Sequence, residues 1–179
     1  VAGLDGVFVL RHPDDAQALR KAISGRQHAV VIGGGYIGLE VAASLTKLGL
    51  RVDVIEMADR LLARVASPQI SAFFAELHQS HDVGLHIGAN CQDILQKGGA
   101  FAGVQLDDGR QIAAELLLVG IGVLPDLDLA ASAGIEAGNG ILVDAMMQSS
   151  VQDIFAIGDV ALIDGAALRI ESVDNAQMT

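Results

Sequence analysis

The stretch HAVVIGGGYIGLE, residues 28–40, decides how the chain is read. Its first half is a short, nearly unbroken apolar run, the pattern of a strand covered on both faces. Three glycines end the run. Ile37, Val41, Leu45 and Leu48 then recur at helical spacing until Gly49, which predicts a helix from about Gly35. The turn contains G-x-G-x-x-G as Gly33, Gly35 and Gly38. In a chain with 21 glycines that pattern alone says little. A second strand, RVDVIE at 51–56, completes a β-α-β unit with an acidic tip, and this context gives the glycines their meaning.

Each position has a physical reason. Gly33 allows the tight turn, Gly35 lets a pyrophosphate approach bare backbone, and Gly38 lets the helix lie close to the strand. The first helical turn, with Tyr36 and Ile37, offers free N–H groups and the positive end of the helix dipole to the phosphates. Glu56 lies 18 residues beyond Gly38. A carboxylate there accepts both ribose hydroxyls of NAD and repels a 2′-phosphate, which favours NADH over NADPH. An ordinary charged strand end is the other reading. Glu40 sits about 7 Å along the helix from Gly35. Either it accepts a hydrogen bond from the nicotinamide amide, which makes it the nearest thing to a catalytic residue, or it is a solvated helix glutamate. Periodicity does not decide between these.

Composition narrows the classes. Hydrophobic residues are 51% and aromatics only 3%, so Ala, Val, Ile, Leu and Gly build the interior. That balance suits parallel strands with helices on both faces. The fold class expected is therefore α/β, a Rossmann-like parallel sheet with helices, plus a small antiparallel β insert. No apolar run reaches the ~18 to 20 residues that span a bilayer. The opening residues lack the basic start of a signal peptide. The single cysteine, Cys91, fits a reducing cytoplasm. His78 and His81 lie three apart on a predicted helix end, where solvated histidines are expected rather than a metal pair. A net charge of −11 argues against nucleic acid as a partner. An anionic ligand must then be held by local features.

Working outward, PDDAQALRKAIS (13–24) and residues 67–80 read as helices. GLHIGA, CQDILQ, FAGVQL and RQIAAE are short and separated by glycine turns, which predicts antiparallel hairpins. LLLVGIG is a buried strand, DLDLAASAG a short helix, GILVD a short strand and DIFAIGD a last buried strand. IFAIGDV (154–160) puts Asp159 at the mouth of that strand, as a surface turn or as part of a site. A simple short-chain dehydrogenase would carry Tyr-x-x-x-Lys downstream, and none is present.

The segments VVIGGGYIGLEVAASLTKLG, GLHIGANCQDIL, LLLVGIGVLPDLDLAASAGI, NGILVD, IFAIGDVA and RIESVDNA occur in that order. Together they resemble the NADH-binding portion of oxygenase-coupled ferredoxin reductases of the putidaredoxin reductase type. These belong to the pyridine nucleotide-disulfide oxidoreductase superfamily of glutathione reductase-like flavoproteins. The resemblance implies that Asp159 bonds a ribityl hydroxyl of FAD, that Arg11 lies near the flavin and that Val173 lies along its ring. It implies further that Gly120, Ile121 and Gly122 line the NADH channel and that Arg64 reaches the adenosine end. Electrons would pass from NADH through FAD to a [2Fe–2S] ferredoxin and on to a cytochrome P450 or a dioxygenase.

Such proteins carry another G-x-G-x-x-G for FAD, and this chain has none. Asp126 stands where the family often has Asn, and the loop between Asp159 and Glu171 is short for the family. The expectation is a fragment that binds NADH without turnover: residues 1–25 a linker strand and helix from the FAD-domain side, 26–148 the NAD-binding domain, and 149–179 the return into a truncated FAD domain. The alternative is an autonomous NAD-binding sensor or regulatory module without electron transfer.

Overall fold

In the computed structural model, residues 3–164 are described. In chain order the first elements are β1 (Val7–Phe8), α1 (Pro13–Ala22), β2 (His28–Ile32), α2 (Tyr36–Lys47), β3 (Arg51–Glu56), α3 (Pro68–Gln79) and β4 (Gly84–Ile87). An antiparallel trio follows, β5 (Cys91–Lys97), β6 (Ala100–Leu106) and β7 (Gln111–Ala113), and then β8 (Leu116–Val119). Beyond it come α4 (Asp128–Ser132), β9 (Ile141–Val143) and β10 (Ala161–Ile163). The chain divides into two units, Val1–Gly122 and Val123–Thr179. Among the described residues no helix is long and apolar enough to cross a membrane.

The first unit is built on a parallel sheet in the order β1-β8-β2-β3-β4. Its strands read as continuous apolar runs because both faces are covered. Ala29, Val31, Val52, Val54, Leu116 and Leu118 point to one face and bury Leu19 of α1 with Val41, Ala42 and Leu45 of α2. Val30, Ile55 and Leu117 point to the other face and meet Phe101, Val104 and Leu106 of β6. The expectation of helices on both faces is thus corrected. Helices cover one face, and the antiparallel sheet β5-β6-β7 covers the other with its own apolar side.

Three local readings also change. GLHIGA is no hairpin strand: as β4 it pairs parallel with β3, from Asp53↔Gly84 to Glu56↔Ile87. The reason is α3, started by the Ser67 hydroxyl accepting the Ile70 amide and by Pro68, which carries the chain back along the sheet. In α2 the buried residues are Gly38, Leu39, Val41, Ala42 and Leu45, while Ile37 and Leu48 at the two ends are exposed. Only the middle of the helix lies over the sheet. His78 is buried, not solvated, with Nδ1 facing the Phe74 carbonyl at 2.9 Å and Nε2 the Leu39 carbonyl at 3.2 Å.

Among its described residues the second unit has a core of Val143, Met147, Ala156 and Ala161. β9 and β10 pair parallel within it. The Asp126 carboxylate accepts the Asp128 amide at 3.2 Å, an Asx turn that leads into α4. The last buried strand expected at DIFAIGD does not form. Ile154, Phe155 and Ile157 are exposed, and Phe155 makes only an isolated bridge to Gln148. Gly158, at φ +70°, breaks the extended run into a 3-10 turn over Gly158–Val160, and pairing resumes in β10.

In the first unit Cys91, at the head of β5, is half-buried, and its Sγ lies 3.5 Å from the Asp93 carbonyl. Burial and the nearby Asp93 charge push its thiol above the ordinary value.

Candidate functional site

The strand order reverses at β2: β3 lies to one side and β8 to the other. In doubly wound sheets such a point, at the carboxyl ends of the strands, leaves a crevice. Here the glycine turn fills its rim. The Gly33 amide donates to the Ile55 carbonyl, and the Gly120 amide donates to the Ile32 carbonyl, both at 2.8 Å. The ends of β2, β3 and β8 are thereby tied together.

The three motif glycines differ in what a side chain would meet. Gly33 has φ +109°, and a Cβ there would overlap the Gly120 carbonyl. A Cβ on Gly38 would overlap the Gly33 carbonyl. Gly35 precedes α2 in extended backbone at φ −83°, and a Cβ there would meet nothing within 4 Å. Two glycines close the turn and one opens it. The first-turn amides of α2 face that open side without intrahelical acceptors.

Glu56 is bound into the same turn. One carboxylate oxygen accepts the Gly34 amide at 2.6 Å and the other the Ala58 amide at 2.8 Å. Each oxygen keeps a further lone pair for a donor. Gly34 is a residue that motif reasoning passed over. A Cβ there would come within 2.6 Å of Leu61 Cδ2 and 3.0 Å of a Glu56 oxygen. The run of three glycines was its only signal in the sequence.

Arg64 is exposed, and its Nη2 lies 3.3 Å from where a Cβ on Gly122 would sit. Gly122 itself has φ +113°, and Ile121 is exposed. The structure thus gathers Gly33, Gly34, Gly35, Gly38, Glu56, Arg64 and the 120–122 segment at one end of the parallel sheet. Tyr36, Ile37 and Glu40 lie exposed on α2, and Glu40 has no hydrogen-bond or ion-pair partner among the described residues. Arg11 is exposed between β1 and α1. Asp159 lies in the 3-10 turn of the second unit. Val173 and the ESVDNA segment lie outside the described residues.

A separate polar cluster crosses the sheet. The Asp53 carboxylate, 4% exposed in mid-strand, takes Nε2 of His28 on one oxygen and Nε2 of His86 on the other, each at 2.6 Å. Burial pushes its carboxyl upward, but the bonds from His86 and His28 outweigh this and hold it below the ordinary value. A Cβ on Gly84 would overlap Asp53 Oδ1, so glycine at that position gives the carboxylate its space.

Residues 1–179 match the family model described as pyridine nucleotide-disulphide oxidoreductase. The chain is 40% identical over 177 residues to the 5,5'-dehydrodivanillate O-demethylase ferredoxin reductase subunit of Sphingobium sp., covering 96% of this chain and 43% of that protein. It is 38% identical over 173 residues to putidaredoxin reductase of Pseudomonas putida, covering 93% of this chain and 41% of that protein. The crystal structure of the ferredoxin reductase for the CYP199A2 system from Rhodopseudomonas palustris matches with a TM-score of 0.89 at 41% identity, covering 98% of this chain and 44% of that one. The chain therefore spans less than half the length of these relatives.

Proposed function

The chain belongs to the pyridine nucleotide-disulphide oxidoreductase family, and we propose that it is the NADH-binding portion of an FAD-dependent ferredoxin reductase. In this reading electrons pass from NADH through FAD to a [2Fe–2S] ferredoxin that serves a cytochrome P450 or dioxygenase. The single observation that carries it is the pairing at the sheet's switch point: Gly35 open to solvent beside α2, and Glu56 fixed at the tip of β3.

The pyrophosphate lies over Gly35, against the first-turn amides of α2. Glu56 accepts the adenosine ribose hydroxyls with its remaining lone pairs, and its charge disfavours a 2′-phosphate. Arg64 supplies a local cation in a chain of net charge −11, bonding the ligand's anionic groups or stacking on its adenine. Gly120 and Gly122 let the nicotinamide half run along bare backbone. Glu40, without a partner on α2, accepts from the carboxamide. The chemistry FAD would supply here, when bound, is conversion of a hydride into single electrons. Arg11, Asp159 and Val173 are the residues of this chain assigned to it. The names of the relatives support this reading: one is a ferredoxin reductase subunit of an O-demethylase, another the ferredoxin reductase for the CYP199A2 system.

Calorimetric titration of the chain with NADH and NADPH tests the binding half. NADH is expected to bind about ten-fold more tightly than NADPH, a gap of one factor of ten in Kd. Glu56→Gln should narrow that gap. Absence of binding by either nucleotide, or a preference for NADPH, overturns the assignment. The electron-transfer half is tested on the longer protein that contains this chain, by NADH-dependent flavin bleaching and reduction of a [2Fe–2S] ferredoxin.

A further inference from the structure

Two arginines in the segment ADRLLARVA, four positions apart, have opposite fates. The guanidinium of Arg60 is turned inward. Its Nη1 donates to the Ala66 carbonyl and to the Ser71 hydroxyl, both at 2.8 Å, and its Nη2 donates to the Ala63 carbonyl at 2.7 Å. Ser71, 3% exposed on α3, donates in turn to the Leu61 carbonyl at 2.6 Å. Arg60 thus braces the loop internally at Ala63 and Ala66, and Ser71 ties Leu61 and Arg60 to α3.

Its other side is tied to the glycine turn. The Leu62 amide donates to the Gly34 carbonyl at 2.9 Å, and Leu61 Cδ2 fills the space a side chain on Gly34 would need. Leu62 holds a left-handed backbone at φ +52° while its side chain is buried with Leu39. A leucine stays in that conformation only where its surroundings over-determine it. The residue presented between these two anchorages is Arg64, exposed, beside Gly122 and without a hydrogen-bond or ion-pair partner among the described residues.

We propose that Arg60 is a positioning residue for dinucleotide binding: with Ser71 it fixes residues 61–66 against the glycine turn, so that Arg64 is already aimed at the ligand beside Gly122. The inference rests on the dinucleotide-binding reading above. A loop ordered beforehand loses less conformational freedom when ligand binds, so affinity rises without a new contact. A planar fork presents its donors in fixed directions, which suits arginine to three acceptors spread over the loop and α3.

The test is a double-mutant cycle on the full chain, with NADH as the probe and calorimetry as the readout. Arg60→Met and Arg64→Met are each expected to weaken NADH binding about ten-fold. The double variant should bind no more weakly than Arg64→Met alone, because Arg60 acts through Arg64. Equal losses from Arg60→Met in both backgrounds, or an unchanged Kd in Arg64→Met, overturn the proposal. Ser71→Ala, which removes the bonds to Arg60 and Leu61 but leaves Arg60 on the Ala63 and Ala66 carbonyls, should give about a three-fold loss that also vanishes in the Arg64→Met background. That second series decides the matter if Arg60→Met does not fold. A wild-type chain that binds no NADH sinks the underlying reading as well; wild-type binding with independent losses sinks this inference alone.

Discussion

At the scale of single residues, the glycine turn separates fold from ligand. Gly38→Ala places a methyl group on the Gly33 carbonyl, a backbone atom that cannot swing aside. It should destabilise the chain by about 1–3 kcal/mol, the range for overpacking. Gly35→Ala enters open space in ordinary extended backbone. It should change stability by no more than about 0.5 kcal/mol, yet weaken NADH binding. Denaturant unfolding and calorimetry on the two variants check this, and a stability loss in Gly35→Ala would contradict it. The places of Gly33, Gly35 and Gly38 in the turn were legible because each follows from spacing within one β-α-β unit. Gly34 and Arg60 were not, because their partners come from other parts of the chain. Gly34 meets Leu61 and Glu56, and Arg60 meets Ser71, eleven positions away.

Among elements, the least expected link is the His28–Asp53–His86 bridge across β2, β3 and β4. Because Asp53's carboxyl sits below its unfolded value of 3.8, its contribution to stability is present above about pH 4 and is lost as pH falls through the native value. Asp53→Asn should lower stability near neutrality by about 2 kcal/mol, the weight of hydrogen bonds to a charged group. It should also flatten the decline below pH 4 relative to wild type. Urea unfolding across that range, with Arg51 and Arg110 left in place beside the cluster, supplies the comparison. The same strands show where sequence reading reached its limit. β2 and β3 were legible from their apolar runs, and CQDILQ, FAGVQL and RQIAAE from their glycine turns. GLHIGA has the same local look as those hairpin strands. Its true partner is β3, 31 positions back at the Asp53↔Gly84 pair, and only the path of α3 reveals that. IFAIGDV misled in the opposite way: an apolar run suggested a buried ladder, but Ile154, Phe155 and Ile157 are exposed and the run makes one isolated bridge.

Across the whole molecule, the two units are unequal. Both faces of the parallel sheet bury extensive apolar clusters within the first unit, whereas the described residues of the second form a cluster of four buried residues. Small cores give little margin over conformational entropy. Native-state hydrogen exchange should therefore protect amides of β2, β3 and β8 to the level of global unfolding, while those of β9 exchange through openings of lower free energy. Equal protection in both units would refute this. One further feature lends itself to measuring such openings. Cys91 is the chain's only thiol, half-buried on the sheet that covers one face of the first unit, where burial and the nearby Asp93 charge push it above its ordinary value. A maleimide should label it slowly in the native protein and at once in urea. The labelling rate is then a built-in clock for how often that sheet lifts, and it needs no engineered probe.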